Sequence, residues 1–396
     1  MSSTENNIVY TQKALPGSFS KIGFAFLGIG LVLVIAAYFI DHTRAAFNNL
    51  VVLMFLTSIG LGALFVVALE YLAGAVWSTP FRRIMEFFAA LLIILPIIAI
   101  PVYLNLHGLY HWTHQASVQG DHLLESKSGY LNESFFAIRV IAFFAIWILF
   151  YLIFTRYSKK QDVTRDQGLT KINIKLSAVF MPFFGLTITF SAIDWLMSLE
   201  PHWFSTIFGV YYFSGTTLAA LAAGTYAIVT LNDKGYFQKW LQRDHFYSLG
   251  ALMFAFINFW AYIAFSQFLL IWYANLPEET FWFLHKWEGS WMYFTIGLIF
   301  IHFVIPYFGL LSQPSKMDTK RLKLMSLWIL FAHFYDLFWL VMPTYSPDGV
   351  VFGWIEIAFP ILAIGIIILM FTLRAKNQNI IPIGDPKLKR GLDFRL

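Results

Sequence analysis

The chain has 396 residues, of which 59% are hydrophobic and only 12% are charged, and its net charge is +5 at neutral pH. Soluble domains carry about 25% charged residues, so this composition excludes a soluble protein and indicates a polytopic membrane protein. The chain has no cysteine. This excludes disulfides, thiol nucleophiles, covalent c-type haem and cysteine-ligated iron–sulfur clusters, so any such redox centre must belong to a partner.

Ten apolar runs are long enough to cross a bilayer as helices, which takes about 20 residues each. Because only helices and closed barrels satisfy backbone hydrogen bonds in lipid, and these runs are too long for barrel strands, we predict an all-α membrane protein. The predicted helices 1 to 10 span 21–40, 47–76, 83–106, 133–156, 172–199, 204–231, 246–274, 287–311, 321–343 and 350–374. We expect residues 1–20 and 375–396 to form polar tails on either side of this 21–374 transmembrane domain.

The distribution of Lys and Arg predicts the orientation of the chain. If the N-terminus faces the cytoplasm, 23 of the 27 basic residues fall in cytoplasmic segments. The four others are Arg44, Lys127, Arg139 and Lys286. Cytoplasmic loops of membrane proteins are enriched in Lys and Arg, so both termini are predicted to be cytoplasmic.

A faint internal repeat relates two of the predicted helices. Asp194 precedes Pro201 by seven residues in helix 5, and Asp336 precedes Pro343 by seven in helix 9. Helices 2–5 and 6–9 would then form two related four-helix bundles, flanked by helices 1 and 10. This rests on one matched pair, and a fold without a repeat is an equal alternative.

Charged residues inside predicted spans mark candidate sites, because each costs about 2.5–3.5 kcal/mol at mid-helix. On the predicted outer side these are Arg139 in helix 4, Asp194 in helix 5, Asp336 in helix 9 and Glu356 in helix 10. His333 lies three residues before Asp336, on the same helical face. A carboxylate beside a histidine can form a proton relay. The alternative is that Arg139 and Asp194 form a buried ion pair that joins two helices.

A smaller set lies toward the predicted cytoplasmic side and the middle of the membrane. Glu70 near the end of helix 2 and Glu86 near the start of helix 3 can form the mouth of a cytoplasmic half-channel. For Glu86, which follows Arg82 and Arg83, we favour a solvated position at the headgroup level. For Glu70, with apolar residues on both sides, we favour a functional role. His302, near the middle of helix 8, is a further proton-transfer candidate.

Histidines also raise the question of metal or haem binding. His302 and His333 both lie near mid-membrane and could ligate a haem b, but no other feature supports such a site. His107, His111 and His114 would share one face if helix 3 continued through them, and three histidines can bind zinc. Histidines at the membrane interface are a commoner explanation. We therefore expect no metal site.

Two segments resemble a known family. FSAIDWLMSLEPHWFSTIFGVYYFSG at 190–215 and HGLYHWTH at 107–114 closely resemble the large membrane subunits of alternative complex III, in particular the ActF-like ones. That complex is a bacterial quinol:electron-acceptor oxidoreductase, and these subunits belong to the wider NrfD/PsrC-like group. The resemblance covers most of the chain and implies two adjacent four-helix bundles in the bacterial inner membrane.

The resemblance also implies cofactors and partners. The partners would be an iron–sulfur subunit, multihaem and monohaem cytochrome c subunits, a sister NrfD-like subunit, small membrane subunits and, in some complexes, a terminal oxidase. Haems and iron–sulfur clusters would sit in those partners, and quinone or menaquinone would bind the sister subunit. This chain would scaffold the complex, and proton conduction and contact with quinone are open roles. No nucleic acid is implied.

Two other classes remain open. One is a purely structural membrane subunit. The other is a proton-coupled secondary transporter, a class that usually has helices broken by Gly or Pro at matched mid-span positions. Pro96, Pro182 and Pro306 lie inside predicted spans but do not form a matched pair.

Overall fold

A computed structural model describes residues 15–238, 240–376 and 378–396. It is 81% helical, and the described residues form no strand. In the described part of the chain, ten helices are long and apolar enough to cross a membrane, so the prediction of an all-α, multi-pass membrane protein is confirmed. They are Gly17–Ile40 (α1), His42–Ala73 (α2), Thr79–Leu104 (α3), Glu133–Thr164 (α4), Gly168–Leu199 (α5), Phe208–Asp233 (α6), Arg243–Ala274 (α7), Trp291–Gly309 (α8), Thr319–Tyr345 (α9) and Trp354–Ala375 (α10). The first 14 residues of the predicted N-terminal tail lie outside the described residues.

Two of the helices begin at polar caps, whose positions hydropathy does not predict. The Asp41 side chain accepts a hydrogen bond from the backbone N–H of Arg44, at 2.9 Å, so α2 begins before the predicted residue 47. The Asn132 side chain caps α4 in the same way through the N–H of Phe135, at 2.9 Å.

Helices α2 and α6 form the centre of the molecule. In the most apolar windows of α2 and α6, 94% and 89% of the residues are buried. The two helices approach closely at Gly62, where an added Cβ would lie 2.6 Å from the carbonyl oxygen of Thr216. Such small residues let helix backbones meet in a membrane. Around this pair, α2 packs on α3, α5 and α9, and α6 packs on α5, α7 and α9.

Two helices change their winding inside the membrane. Residues Ala90–Ile93 of α3 form a 3₁₀ turn, and residues Ile299–Val304 of α8 form a π-helix that contains His302. A π-helix carries wider turns than an α-helix, and such segments are frequent at functional sites. The π-segment thus indicates a candidate functional site on α8.

The two ends of the helix bundle differ in what covers them. Residues 378–396 return over the end where α2 stops and α3 starts, and the ring of His245 lies 2.7 Å from the carbonyl oxygen of Gly391 there. We call this the tail end, and the sequence predicts that it is cytoplasmic. At the opposite end, the hydroxyl of Tyr345 donates to Asp41 at 2.8 Å.

Candidate functional site

The tail end contains a buried network of charges centred on Arg82. Its guanidinium lies 2.9 Å from a carboxylate oxygen of Glu70, 3.6 Å from one of Glu86 and 2.7 Å from one of Asp385. These four side chains are 4% exposed or less. Asp385 comes from the C-terminal segment, so the tail supplies a carboxylate that the helices alone do not have.

The network continues through the neighbouring arginine. Arg83 lies 3.3 Å from Glu86 and 2.7 Å from Asp162 at the end of α4. Ser158 of α4 donates to the other oxygen of Glu86 at 2.7 Å. Glu86 is 3% exposed, so the expected solvated position at the headgroup level is wrong. The reason is that α4 packs over Glu86 while the C-terminal segment covers the adjoining Arg82.

Carboxylates outnumber the cations that contact them in this network. Four carboxylates meet two guanidinium groups: Glu70, Glu86, Asp162 and Asp385 against Arg82 and Arg83. Lys159 and Lys387 lie farther out and are partly exposed. Burial raises the pKa of the Asp385 carboxyl, but the Arg82 guanidinium and the backbone N–H of Lys387 outweigh it, and this pKa lies below its usual value. Asp385 is therefore ionised.

Arg139 and Asp194 form a closed ion pair between α4 and α5. Arg139 Nε lies 2.7 Å from Asp194 Oδ2, and its Nη2 lies 3.1 Å from Oδ1. Tyr130 donates its hydroxyl to Oδ1 at 2.8 Å, and its ring lies 3.8 Å from the guanidinium. Both carboxylate oxygens are thus bonded, as the ion-pair alternative requires. Burial, followed by Asp194, raises the pKa of Tyr130, so the phenol keeps its proton.

Glu356 has an equally complete set of partners at the start of α10. It accepts two hydrogen bonds from Arg44, at 2.7 and 2.6 Å, one from Asn48 at 3.2 Å and one from the backbone N–H of Gly353 at 2.7 Å. Sequence reasoning did not find Arg44 as the partner. The sequence offers one clue: Arg44 is among the four basic residues that lie outside the predicted cytoplasmic segments.

Asp336 is the exception among the buried carboxylates. It accepts hydrogen bonds from the hydroxyl of Tyr211 and, at 3.2 Å, from the indole Nε1 of Trp260. Within the described ranges, no Lys or Arg lies within ion-pair distance of it, whereas each other buried carboxylate contacts an arginine. Asp336 is 2% exposed, so neither solvent nor a lysine or arginine is available to balance a negative charge there.

Two histidines lie beside Asp336. His302 and His333 are each 1% exposed, and none of their four ring nitrogens has a hydrogen-bond partner among the described residues. One nitrogen from each ring and one Asp336 oxygen all lie within 4.8 Å of each other. Trp260 stacks on His302, with ring centroids 3.7 Å apart. We call these residues, with Tyr211, the Asp336 cluster.

A haem does not fit between these histidines. Their ring centroids are 6.5 Å apart, but Asp336 reaches both rings, and Trp260 covers one face of His302. Helix α6 also passes close to His333, because a Cβ added at Gly215 would lie 2.8 Å from its ring. A porphyrin would have to displace these groups.

The four residues of the proposed outer relay form two separate pairs. The structure brings Arg139 together with Asp194, and His333 together with Asp336. Among the described residues, no hydrogen bond or ion pair joins one pair to the other. A relay through all four residues would need further groups between the pairs.

The histidines of the long loop do not share a helical face. The short helix that contains His107 spans Leu106–Leu109, and the backbone of the next residue, Tyr110, is extended, so the predicted i, i+4, i+7 stripe does not form. His114 instead folds back and lies 2.8 Å from the carbonyl oxygen of His107, and His107 lies 3.4 Å from Glu133. His107, His111 and His114 are all exposed, as expected of interfacial histidines.

A chain of hydroxyls at the α2–α6 contact was missed by sequence reasoning. Thr216 donates to Ser58 at 3.2 Å, Ser58 to Tyr212 at 3.0 Å, and Tyr212 to the carbonyl oxygen of Met54 at 2.9 Å. From the sequence alone, these small polar residues are interpreted as helix-packing residues. Farther along α6, the buried hydroxyl of Thr225 has no hydrogen-bond partner among the described residues.

Lys286 was also missed. It is 2% exposed, and its ammonium lies 3.8 Å from the centroid of Trp282 and 5.2 Å from that of Trp339. Burial lowers the pKa of Lys286 to about 7, although Glu200 opposes the shift. The sequence does not show that this lysine is buried, because its burial depends on residues from other segments of the chain.

No family model matches the chain, and no curated protein matches it.

Proposed function

We propose that this chain is a membrane subunit of a bacterial respiratory quinol:electron-acceptor oxidoreductase, in which it binds and conducts protons. Quinol oxidation releases protons together with electrons, so a membrane subunit of such an enzyme has protons to move. The proposal places the chain in the inner membrane with the tail end in the cytoplasm. Iron–sulfur and haem subunits are its proposed partners, and quinone is assigned to the sister subunit.

The observation that carries the proton role is the excess of carboxylates at the tail end. Three buried carboxylates (Glu70, Glu86 and Asp385) and the partly exposed Asp162 contact only two guanidinium groups, and the nearest lysines, Lys159 and Lys387, are partly exposed. Holding such charge at low dielectric is costly, and a buried carboxylate takes up a proton instead. Glu86 directly follows Met85, which meets α6 at Gly224, so Glu86 is the member of the network that we propose to pass protons on.

The middle of the protein supports a route away from Glu86. Helix α6 meets α3 next to Glu86, since a Cβ at Gly224 would lie 2.1 Å from Met85. Thr225 follows Gly224 on α6. Farther along α6, the hydroxyl chain of Thr216, Ser58 and Tyr212 lies between α6 and α2. Hydroxyls both donate and accept hydrogen bonds, which is what proton transfer through water chains needs. The proposed route therefore follows the α2–α6 contact.

The proton role is tested with the purified complex in liposomes that contain a pH-sensitive dye. Glu86→Gln should keep electron transfer from quinol while protons translocated per electron fall several-fold. The control is Glu125→Gln, an exposed residue at the opposite end. Unchanged proton translocation in Glu86→Gln would refute the proton role.

Membership of a respiratory complex is tested separately. The full chain with an affinity tag after Leu396, which is 73% exposed, is purified from native membranes in mild detergent. We expect co-purified cytochrome c absorption and an iron–sulfur signal in electron paramagnetic resonance. A protein that purifies without redox partners and transports a solute alone would instead establish the transporter alternative.

A further inference from the structure

We infer that His302, His333 and Asp336 bind one divalent transition-metal ion. The inference does not depend on the proposed function, because it concerns occupancy of the Asp336 cluster and not turnover. Sequence reasoning considered these histidines only as haem ligands or proton carriers, and predicted no metal.

The first argument is the set of donor atoms. Two imidazole nitrogens and one carboxylate oxygen lie within 4.8 Å of each other. In a tetrahedral zinc site with bonds of about 2.0–2.2 Å, the ligand atoms lie about 3.4 Å apart, so side-chain movements of roughly 1 Å would bring all three donors to bonding distance. One water molecule would be the fourth ligand. Imidazole favours zinc, iron, copper and nickel, whereas calcium and magnesium require oxygen ligands.

The second argument is that the imidazoles lack partners. Buried polar atoms are nearly always hydrogen-bonded, and an orphaned one costs about 1–3 kcal/mol. All four ring nitrogens of His302 and His333 are buried without a partner among the described residues. A metal ion would satisfy one nitrogen of each ring.

The third argument is charge. Asp336 lacks the arginine that each other buried carboxylate contacts. A divalent cation would supply the missing positive charge.

The surroundings of the cluster resemble the outer shell of a metal site. Tyr211 and Trp260 each donate to one oxygen of Asp336, which orients the carboxylate and leaves each oxygen a free lone pair. The π-segment of α8 contains His302. Trp260 stands between the cluster and an apolar groove of 480 Å³ between α7 and α8, so the ion would be shielded from water and would exchange slowly.

The direct test is the metal content of the purified full chain. Because the site is buried, cells are grown with added Zn²⁺, and the protein is washed with EDTA before elemental analysis. We expect one zinc per wild-type chain, and at least a tenfold lower content in His302→Gln and Asp336→Asn. Tyr211→Phe, which removes an orienting hydrogen bond, should weaken zinc binding about 10–100-fold. His111→Gln, at an exposed histidine, should keep the wild-type content.

The absence of cysteine allows a second, spectroscopic test. His302→Cys replaces an imidazole by a thiolate, which also binds zinc and cobalt. Grown with Co²⁺, this variant should show thiolate-to-cobalt charge-transfer absorption, and His111→Cys should not.

Two results would overturn the inference. One is a zinc content below about a tenth of an equivalent in the wild-type protein after loading, which would show that the cluster does not bind zinc. This measurement uses only the wild-type protein, so it is valid even if the variants fail to fold. The other is zinc content that is unchanged in folded His302→Gln.

Discussion

Arg82 at the start of α3 and Asp385 in the C-terminal segment form a buried ion pair 2.7 Å long. The pair closes the tail end, since Arg82 also contacts Glu70 and Glu86. Removing Asp385 would leave Arg82 paired with Glu70 and Glu86, but it would remove the ion pair that joins the C-terminal segment to α3. The C-terminal segment is thus an integral part of the charge network.

Asp385→Asn should release the C-terminal segment. We expect the segment to loosen while the helices stay folded, because Arg82 remains paired with Glu70 and Glu86. Amide hydrogen exchange of residues 378–396 should accelerate strongly, while exchange in α2 stays slow. Asp393→Asn, at an exposed position of the same segment, is the control. Equal exchange in the two variants would contradict an anchoring role for Asp385.

The Arg139–Asp194 pair predicts a rescue by double substitution. Asp194→Asn should destabilise the protein by about 3–5 kcal/mol, because Arg139 then remains buried and unpaired. Adding Arg139→Gln removes that charge and should restore most of the thermal stability in detergent. Glu125→Gln, an exposed carboxylate, serves as the control for a neutral substitution.

The same double variant separates the two interpretations of Asp194. If the pair is structural, the double variant should recover both assembly and turnover. If Asp194 carries a proton, assembly should recover while proton-coupled turnover stays low. The complete bonding of both Asp194 oxygens leads us to expect full recovery.

Lys286 predicts an unusual dependence of stability on pH. Its pKa is about 7 in the folded protein, below the 10.5 of an unperturbed lysine. Between these values the unfolded chain binds more protons, so the free energy of unfolding should rise with pH, by up to about 1.4 kcal/mol per unit. Lys286→Met should be more stable than wild type at pH 7 and should flatten this slope.

The measurement is thermal unfolding in one detergent between pH 7 and pH 10. Lys320→Met, at an exposed lysine, should follow the wild-type curve. A wild-type stability that falls steadily over this range would show that the ammonium is not buried as described.

The predicted orientation can be tested with single cysteines, because the natural chain has none. Cysteines introduced at Lys160 and Lys389, both exposed, should react with a membrane-impermeant reagent only after cells are opened. A cysteine at Glu125, in the loop at the opposite end, should react in intact cells. Labelling of residue 160 or 389 in intact cells would show that the predicted orientation is wrong.

The sequence by itself determined the ten-helix, all-α membrane fold. Long apolar runs leave the backbone no alternative to helices in lipid, and this information is local to each run. Charged residues such as Asp194 and Asp336 stood out for the same reason, since each is costly within an apolar run.

Only the tertiary structure decided which partners these residues have. Asp194 and Asp336 look alike in sequence, each seven residues before a proline, yet one contacts Arg139 and the other contacts Tyr211 and Trp260. Asp385 lies in a polar tail and still ends in a buried network with Arg82. Pairing depends on contacts between residues far apart in the chain, and helical periodicity contains no information about them.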